Sequence, residues 1–412
     1  KIRSDFKTMK KRLLAAVFLV LSGWIFLAFV ANATPPEDSA VVKNDVQQRI
    51  KWIENNLSSP LERKHGAKSH TIKEELKRYS VPGVSVAVIN DGKIDWAKGY
   101  GVREAGTREK VTTETLFQAA SISKPFSALA ALRLVRDGKL ALDDEVNDAL
   151  TEWKIPNSSL GTVTLRQLLS HRGGLTVHGF PGYKLGEPLP TVVQILNGEF
   201  PANSPAVVIA KTPGAQFQYS GGGYTALQLL LTEKTGKPFS NLMRELVLDP
   251  LGMKHSAYTQ PLPADKQQIA ATAHNKDVPV SGKWHVYPEL AAAAMWTTPT
   301  DFATAAIALQ NVKAGKADVV LDKAGLEAMW TKPAPDSPCG LGFFISGTDG
   351  ALRFEHGGGN EGFTCFLVAY QNLGLGAAIM TNSSNGPRIY NELLDAIARV
   401  YNWPDYIKAD QS

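Results

Sequence analysis

Cysteine is almost absent from this chain: only Cys339 and Cys365 occur among its 412 residues. Two thiols are too few for a disulfide-rich scaffold or a multi-cysteine metal site, so both classes are excluded. A single disulfide bond between them could form if the protein is exported to an oxidising compartment. The strand pattern places the two cysteines on strands separated by a third strand, too far apart for disulfide geometry, so we favour unpaired thiols.

An excess of positive charge is missing from most of the chain. The net charge of +5 is carried by residues 1–33, which hold six basic residues and one acidic residue. The totals of 44 basic and 39 acidic residues therefore leave 38 of each for the rest of the chain. Binding to a phosphate backbone needs a basic patch or stripe. We expect no nucleic-acid partner.

A long uncharged apolar run occurs at Leu13–Val30. Lys10, Lys11 and Arg12 precede it, and an A-x-A cleavage pattern follows at Ala31–Ala33. These features predict a signal peptide over residues 1–33, with an uncleaved N-terminal anchor as the alternative, because the run just reaches bilayer-spanning length. Both alternatives predict an exported protein, periplasmic or secreted, with membrane attachment only through this run. Oligomeric state cannot be read from the sequence.

The chain also lacks a pattern of metal ligands. Several histidines lie in loops, without ligand spacing and without grouped carboxylates: His171, His178, His274 and His285. Structural and catalytic metal sites need three or four ligands that converge. We expect no metal and no other cofactor.

Strand patterns lie near both ends of the chain, and helical patterns lie between them. Val84–Tyr100 predicts a β-hairpin with its turn at Asn90–Gly92, and strand patterns return after residue 340. The predicted fold class is therefore α/β (α+β), with an antiparallel sheet assembled from both chain ends, flanked by helices and interrupted by a mainly helical subdomain.

The same patterns predict the domain boundaries. Residues 34–70 form an N-terminal extension, and residues 71–405 form the main domain. Within that domain, residues 71–120 and 335–405 make the α/β part, and residues 121–334 make the mainly helical part.

The most informative pattern is Ser121-Ile-Ser-Lys124, at the start of an apolar helical stretch. Residues three apart on a helix lie on one face within contact distance. Serine needs a neighbouring group to accept its proton, and a partly buried lysine is shifted toward the neutral amine that can do so. The spacing alone is weak, because Ser4 and Lys7 repeat it in the charged N-terminal stretch.

Two glycine-rich segments supply the context. Tyr219-Ser-Gly221 leads into an apolar helix, where a loop can deliver the tyrosine to a site. His356-Gly357-Gly358-Gly359 follows a strand, where glycines leave backbone N–H groups open to a ligand. Taken singly, each segment favours a structural interpretation, a helix-entry loop with a packed tyrosine or a glycine-rich turn with a structural histidine.

In the order S-x-x-K, Y-S-G, H-G-G, the three segments resemble the serine β-lactamase and penicillin-binding superfamily. The branch they resemble holds class C β-lactamases, D-alanyl-D-alanine carboxypeptidases, D-aminopeptidases and family VIII esterases. Framework phrases of this group extend the resemblance over roughly residues 70–400: Val81–Val88, Leu165–His171, Pro250–Met253 and Trp296–Asp301. The resemblance implies a β-lactamase/transpeptidase-like fold.

It also implies a role for each matching residue. Ser121 would be the acylated nucleophile and Lys124 would help to take its proton. Tyr219 would act as general base and then protonate the leaving group. The segment His356–Gly358 would match the K-T-G strand motif, and the backbone N–H groups of Ser121 and Gly359 would form the oxyanion hole.

Two positions depart from the β-lactamase pattern. Gly221 replaces the asparagine of Y-x-N, which removes an amide that would hold the acyl side chain of a β-lactam. His356 replaces the lysine of K-T-G. A histidine of ordinary pKa would bind a substrate carboxylate only weakly above about pH 6.5. Both changes favour a peptidase or esterase over an efficient β-lactamase.

The sequence therefore predicts an exported serine hydrolase that acts through an acyl-enzyme on small-molecule or peptide substrates. D-amino-acid peptides or small esters are the expected substrates. The alternatives are a β-lactamase or a transacylase of the same fold, and a non-catalytic penicillin-binding-like sensor or scaffold.

Overall fold

The structure is a computed structural model, and it describes residues 45–406. The chain divides into two compact units, residues 1–49 and 50–412, and the fold described below is that of the second unit. The predicted signal segment and the run Leu13–Val30 lie outside the described residues. Within those residues, no helix combines the length and the apolar character needed to cross a membrane.

The helices of the described residues are α1 (Val46–Asn55), α2 (Pro60–Lys64), α3 (Ile72–Arg78), α4 (Ser123–Arg136), α5 (Val146–Ala149), α6 (Leu165–Leu169), α7 (Val192–Asn197), α8 (Gly221–Thr235), α9 (Phe239–Met243), α10 (Ala264–Gln267), α11 (Leu290–Ala293), α12 (Pro299–Lys313), α13 (Lys323–Trp330) and α14 (Gly386–Val400). A 3-10 turn at Ala120–Ile122 precedes α4, and a π-helical turn at Arg244–Leu248 follows α9.

The strands are β1 (Gly83–Asn90), β2 (Lys93–Gly101), β3 (Phe117–Gln118), β4 (Tyr183–Lys184), β5 (His274–Asn275), β6 (Val278–Pro279), β7 (His285–Val286), β8 (Trp296–Thr297), β9 (Phe344–Ser346), β10 (Arg353–Asn360), β11 (Phe363–Tyr370) and β12 (Gly376–Thr381).

Six of these strands form one antiparallel sheet in the order β2-β1-β12-β11-β10-β9. Strand β1, near the start of the domain, pairs with β12, near its end, with Val84 opposite Thr381. The predicted α/β fold, with a sheet built from both chain ends around a mainly helical insertion, is confirmed. The hairpin is confirmed too: Asp91 and Gly92 both have positive φ, as a two-residue type I′ turn requires.

Helices cover both faces of the sheet. On one face α14 packs against β11 and β12, and Tyr390 stacks on Phe366 at 5.7 Å. On the other face α12 packs against β1 and β12. Alternate strand residues on that face join the main hydrophobic core: Ala87, Ile89, Cys365, Leu367, Ala378 and Met380. This packing buries β1 and β12 on both faces.

Two predicted strand boundaries were wrong. Strand β10 does not end at His356 but continues through the three glycines to Asn360, because their backbone pairs with β11. Strand β9 begins only at Phe344, after a turn in which Gly342 has φ of +106°. Helix α14 begins at Gly386, with a proline in its first turn, where a missing N–H costs nothing.

Both cysteines are free and buried, in agreement with the prediction of unpaired thiols. Cys365 lies on β11. Cys339 lies in the loop before β9, where its backbone forms an isolated antiparallel β-bridge with Phe344. Strand β10 separates β9 from β11 in the sheet.

Candidate active site

Ser121 lies in the 3-10 turn that runs directly into α4. Ala120, just before it, has φ of +48°, a conformation that L-residues other than glycine seldom adopt. The neighbouring backbone is tied to β8, because the N–H of Ala119 donates to the carbonyl of Met295 at 2.7 Å. The turn therefore presents a half-buried serine hydroxyl at the N-terminal end of a buried helix.

Lys124 lies one helical turn beyond Ser121, as the spacing predicts. Its Nζ donates to the Oγ of Ser121 at 3.0 Å and to the carbonyl of Ala292 in α11 at 2.8 Å. The side chain is only 2% exposed. Burial disfavours the ammonium and lowers the Lys124 pKa to about 7. An amine with this pKa exchanges protons readily at neutral pH.

Tyr219 is delivered to the same place by the start of α8. Ser220 caps that helix by accepting the N–H of Gly223 at 2.9 Å, so Tyr219 lies just outside the helix. The Nζ of Lys124 is 5.0 Å from the centre of the Tyr219 ring. Burial raises the Tyr219 pKa, and a hydrogen bond with Ser121 opposes that rise without cancelling it. The phenol therefore remains protonated at neutral pH.

His171 holds Tyr219 from behind, a role that sequence reasoning missed. The two rings stack at 4.2 Å, and the Nδ1 of His171 accepts the N–H of Ser220 at 3.1 Å. His171 is 2% exposed, and burial together with the nearby Lys124 lowers its pKa well below the usual value. The sequence feature that could have indicated this role is the position of His171 at the end of the framework phrase Leu165–His171. We regard it as a positioning residue.

The second wall of the site is strand β10. Its pairing with β9 stops at Glu355, so the edge from His356 onward has no partner strand among the described residues. Gly358 allows this edge to close on the turn that carries Ser121: a Cβ there would lie 2.3 Å from the carbonyl oxygen of Ala119. A Cβ on Gly359 would meet nothing within 4 Å, so that glycine faces open space.

His356 does not match the partly charged side chain that the sequence analysis expected. It is 2% exposed, and burial, reinforced by Lys124, lowers its pKa to about 3. Its Nδ1 donates to the carbonyl of Gly357 at 2.6 Å. With this pKa the ring is neutral throughout the physiological range, so it has no charge to offer a substrate carboxylate.

Gly221 lies outside the cleft lining. A Cβ at this position would be 3.0 Å from both the carbonyl oxygen of His178 and the ring of Phe180. The N–H of Gly221 donates to that same carbonyl at 3.0 Å. The volume of the asparagine that Y-x-N would supply is therefore occupied by the loop at residues 178–180.

Ser121, Lys124, Tyr219 and the segment His356–Gly359 line one cleft of about 660 Å³. Aromatic side chains form much of the remaining wall: Phe180, Phe217, Phe344 and Tyr390. Within residues 45–406, no group of three or more histidine, cysteine or acidic residues is placed to hold a metal ion. The cleft thus brings together a serine hydroxyl, a lysine amine with a pKa of about 7 and a protonated phenol.

Residues 69–402 match the family model described as Beta-lactamase. The chain belongs to the beta-lactamase family.

Similar members of this family carry different names. Protein flp of Staphylococcus aureus (strain MW2) is 26% identical over 336 residues, which are 78% of this chain and 64% of that protein. Unguisins hydrolase ungD' of Aspergillus campestris is 27% identical over 349 residues, 77% of this chain and 61% of its own length. The chain therefore spans somewhat less than two thirds of these relatives.

The D-amino acid amidase of Ochrobactrum anthropi SV3, solved with L-phenylalanine amide, has a similar fold. Its TM-score is 0.62 at 23% identity, with 86% of this chain and 99% of that chain covered. At this identity the likeness concerns the fold alone.

Glu289 is an unexplained buried acid beside the cleft of this family member. It directly precedes α11, which supplies the carbonyl that Lys124 contacts. The side chain is fully buried, and neither carboxyl oxygen has a hydrogen-bond partner. Burial raises its pKa to about 8, while Tyr183 and Tyr287 are its titratable neighbours. The acid is therefore protonated at neutral pH.

Replacing Glu289 with glutamine is expected to remove a pH dependence of stability. The folded state keeps the Glu289 proton up to about pH 8, whereas the unfolded chain releases it near pH 4.5. The free energy of unfolding of the wild type therefore decreases as the pH rises from 4.5 to 8. One pKa unit is worth about 1.4 kcal/mol, so at pH 8 the variant should be more stable by roughly 2–4 kcal/mol. Urea unfolding at pH 5 and pH 8 measures this.

The matched control is Glu114→Gln, on an exposed acid. This control should shift the urea unfolding curves at pH 5 and pH 8 equally or not at all. A Glu289→Gln variant whose advantage over wild type is the same at both pH values would contradict the assignment.

Proposed function

We propose that this chain is a serine hydrolase that forms an acyl-enzyme at Ser121 with an amide or ester substrate. The observation that carries the proposal is the buried Nζ of Lys124, 3.0 Å from the Ser121 Oγ, with its pKa lowered to about 7. About half of such amines are neutral at pH 7 and able to accept the serine proton.

The first half-reaction then runs as follows. Lys124 takes the proton as the Ser121 Oγ bonds to the substrate carbonyl carbon, and the carbonyl π electrons move onto oxygen. The backbone N–H groups of Ser121 and Gly359 stabilise that oxyanion. Tyr219 donates its proton to the leaving nitrogen or oxygen as the scissile bond breaks, and it regains a proton from Lys124.

The second half-reaction is the reverse with water in place of the leaving group. Tyr219 takes a proton from the water as it attacks the acyl carbon and passes its own proton to Lys124, and Lys124 returns that proton to the Ser121 Oγ when the product acid departs. In this proposal the lysine is the base in the free enzyme, since burial raises the pKa of Tyr219 and lowers that of Lys124.

For the substrate we propose D-amino-acid peptides or small esters. The name of one similar protein, a D-amino acid amidase, supports an amide substrate, and the name of another, a hydrolase of unguisins, supports hydrolysis. The occupied volume at Gly221 argues against the acyl pocket of an efficient β-lactamase. Export through residues 1–33 remains a prediction of the sequence.

The test is intact-mass spectrometry of the full chain mixed briefly with three acyl donors: a D-alanyl peptide amide, a simple aryl ester and a penicillin. We expect a transient acyl adduct, mapped by peptide fragmentation to Ser121, with release of product acid. Ser127→Ala is the matched control, because Ser127 lies on α4, directly after the turn that carries Ser121, donates to the carbonyls of Ser123 and Ala291, and does not line the cleft.

The control variant should give the same adduct at Ser121. An adduct that persists without product release would favour the sensor alternative. No adduct and no product from any donor would overturn the proposal.

A further inference from the structure

The cleft offers a substrate no strong charge partner. Among the described residues that line it there is no arginine, aspartate or glutamate. Lys124 is committed to Ser121 and to the carbonyl of Ala292. His178 lies on an exposed loop, where water weakens its attraction for a substrate charge.

His356, at the position of the K-T-G lysine, offers neither a charge nor a donor. A carbonyl cannot donate, so the 2.6 Å contact with Gly357 requires the hydrogen of the neutral ring to be on Nδ1. Nε2 is then an acceptor, and it is buried without a partner. A substrate carboxylate brought to the His356 ring would lose water and gain no hydrogen bond from it.

Asn360, at the end of the same strand, offers an acceptor. Its Nδ2 donates to the Oε1 of Gln118 at 2.7 Å and to the carbonyl of Ala293 at 3.0 Å. The Gln118 amide is itself held, since its Nε2 donates to the carbonyl of His285 at 2.8 Å. Both hydrogens of Asn360 are thus used, and the amide has one orientation.

The Oδ1 of Asn360 is used by no hydrogen bond of the described residues, and Asn360 lines the cleft. The acceptor lies one residue beyond Gly359, the proposed oxyanion-hole position. An N–H group on the acyl side of a substrate would pair with it, while a negatively charged group would be repelled. The aromatic walls complement an apolar side chain: Phe217 and Phe344 lie 6.1 Å apart edge to face.

We infer that the cleft selects an amide or ester whose carboxyl end is blocked and whose acyl part carries an N–H group and an apolar side chain. This inference rests on the proposed hydrolase function and narrows its substrate class. Recognition is by neutral hydrogen bonds and apolar contact. Free-acid peptides are poor substrates.

The test compares kcat/KM for two N-acetyl-D-phenylalanyl-D-alanine substrates, one with a free carboxylate and one with a terminal amide. Wild type should favour the amide by about tenfold or more, as expected when a charge is desolvated without a partner. His356→Lys restores a cationic side chain at this wall and should reduce that ratio at least tenfold. Equal or better turnover of the free acid would overturn the inference.

A second variant keeps the test decisive if the lysine variant does not fold. Asn360→Ala should lower kcat/KM for the amide about tenfold more than for its acetoxy analogue, which lacks the acyl-side N–H. Equal losses of kcat/KM on both substrates would show that Asn360 does not accept a hydrogen bond from the acyl-side N–H. A simple aryl ester, run in parallel with mass mapping of Ser121, reports on hydrolysis itself. Ester turnover without amide preference would refute the inference alone, whereas no Ser121 adduct would refute both proposals.

Discussion

Ser121→Ala is expected to lower kcat/KM about 10⁴-fold or more, because the variant has no oxygen to form the acyl-enzyme. The fold should survive the change. The Ser121 hydroxyl interacts with Lys124 and Tyr219, and Lys124 keeps its bond to the Ala292 carbonyl when that hydroxyl is removed. Steady-state hydrolysis of an aryl ester, beside thermal unfolding of both proteins, measures the effect.

The control for this loss is again Ser127→Ala. It should keep kcat/KM within about threefold of wild type, because it changes none of the residues that line the cleft. Ser121→Ala that still hydrolyses the ester within tenfold of wild type would show that another group is the nucleophile.

Lys124→Met is expected to cost about 10²- to 10⁴-fold in kcat/KM, the usual contribution of a positioned proton acceptor. Wild-type kcat/KM should rise with pH and level off as Lys124 loses its proton, with a midpoint near 7. The variant should lose this acidic limb, because methionine has no proton to release. The pH profile of both proteins from pH 5 to 9 is the measurement.

Stability separates this catalytic effect from damage to the fold. The unfolded chain holds the lysine proton up to about pH 10.5, while the folded state releases it near 7, so wild-type stability falls as pH drops through this window. Methionine has no such titration, so the variant should be at least as stable as wild type at pH 7. An unaltered acidic limb in Lys124→Met would assign the base to another group.

The contact between Ser121 and Lys124 was readable from the sequence, because residues three apart on a helix must share a face. The hairpin turn at Asp91 and Gly92 was equally readable, since its residues have the conformational preference that the turn needs. One sheet assembled from both ends of the domain followed from finding strand patterns there, and the structure supplies the pairing of β1 with β12. These features depend on local geometry or on the order of elements.

The errors at His356 and at the end of β10 have a different origin. A histidine of ordinary pKa was expected. The ring instead packs against Phe344 and is buried, and this burial, together with the charge of nearby Lys124, lowers its pKa and keeps it neutral. The glycines read as the end of a strand, yet their backbone pairs with β11. Strand pairing needs no side chain, so composition alone could not place that boundary.

The sequence by itself determined the order of the elements, the Ser121–Lys124 spacing and the glycine-rich segments that allow close backbone approach. Only the tertiary structure decided the chemistry of those groups. The pKa of Lys124 depends on burial under α11, whose Ala292 lies 168 positions away along the chain. The free acceptor of Asn360 depends on Gln118, 242 positions away. Desolvation and hydrogen-bond partners are properties of packed neighbours, which the order of residues along a chain does not specify.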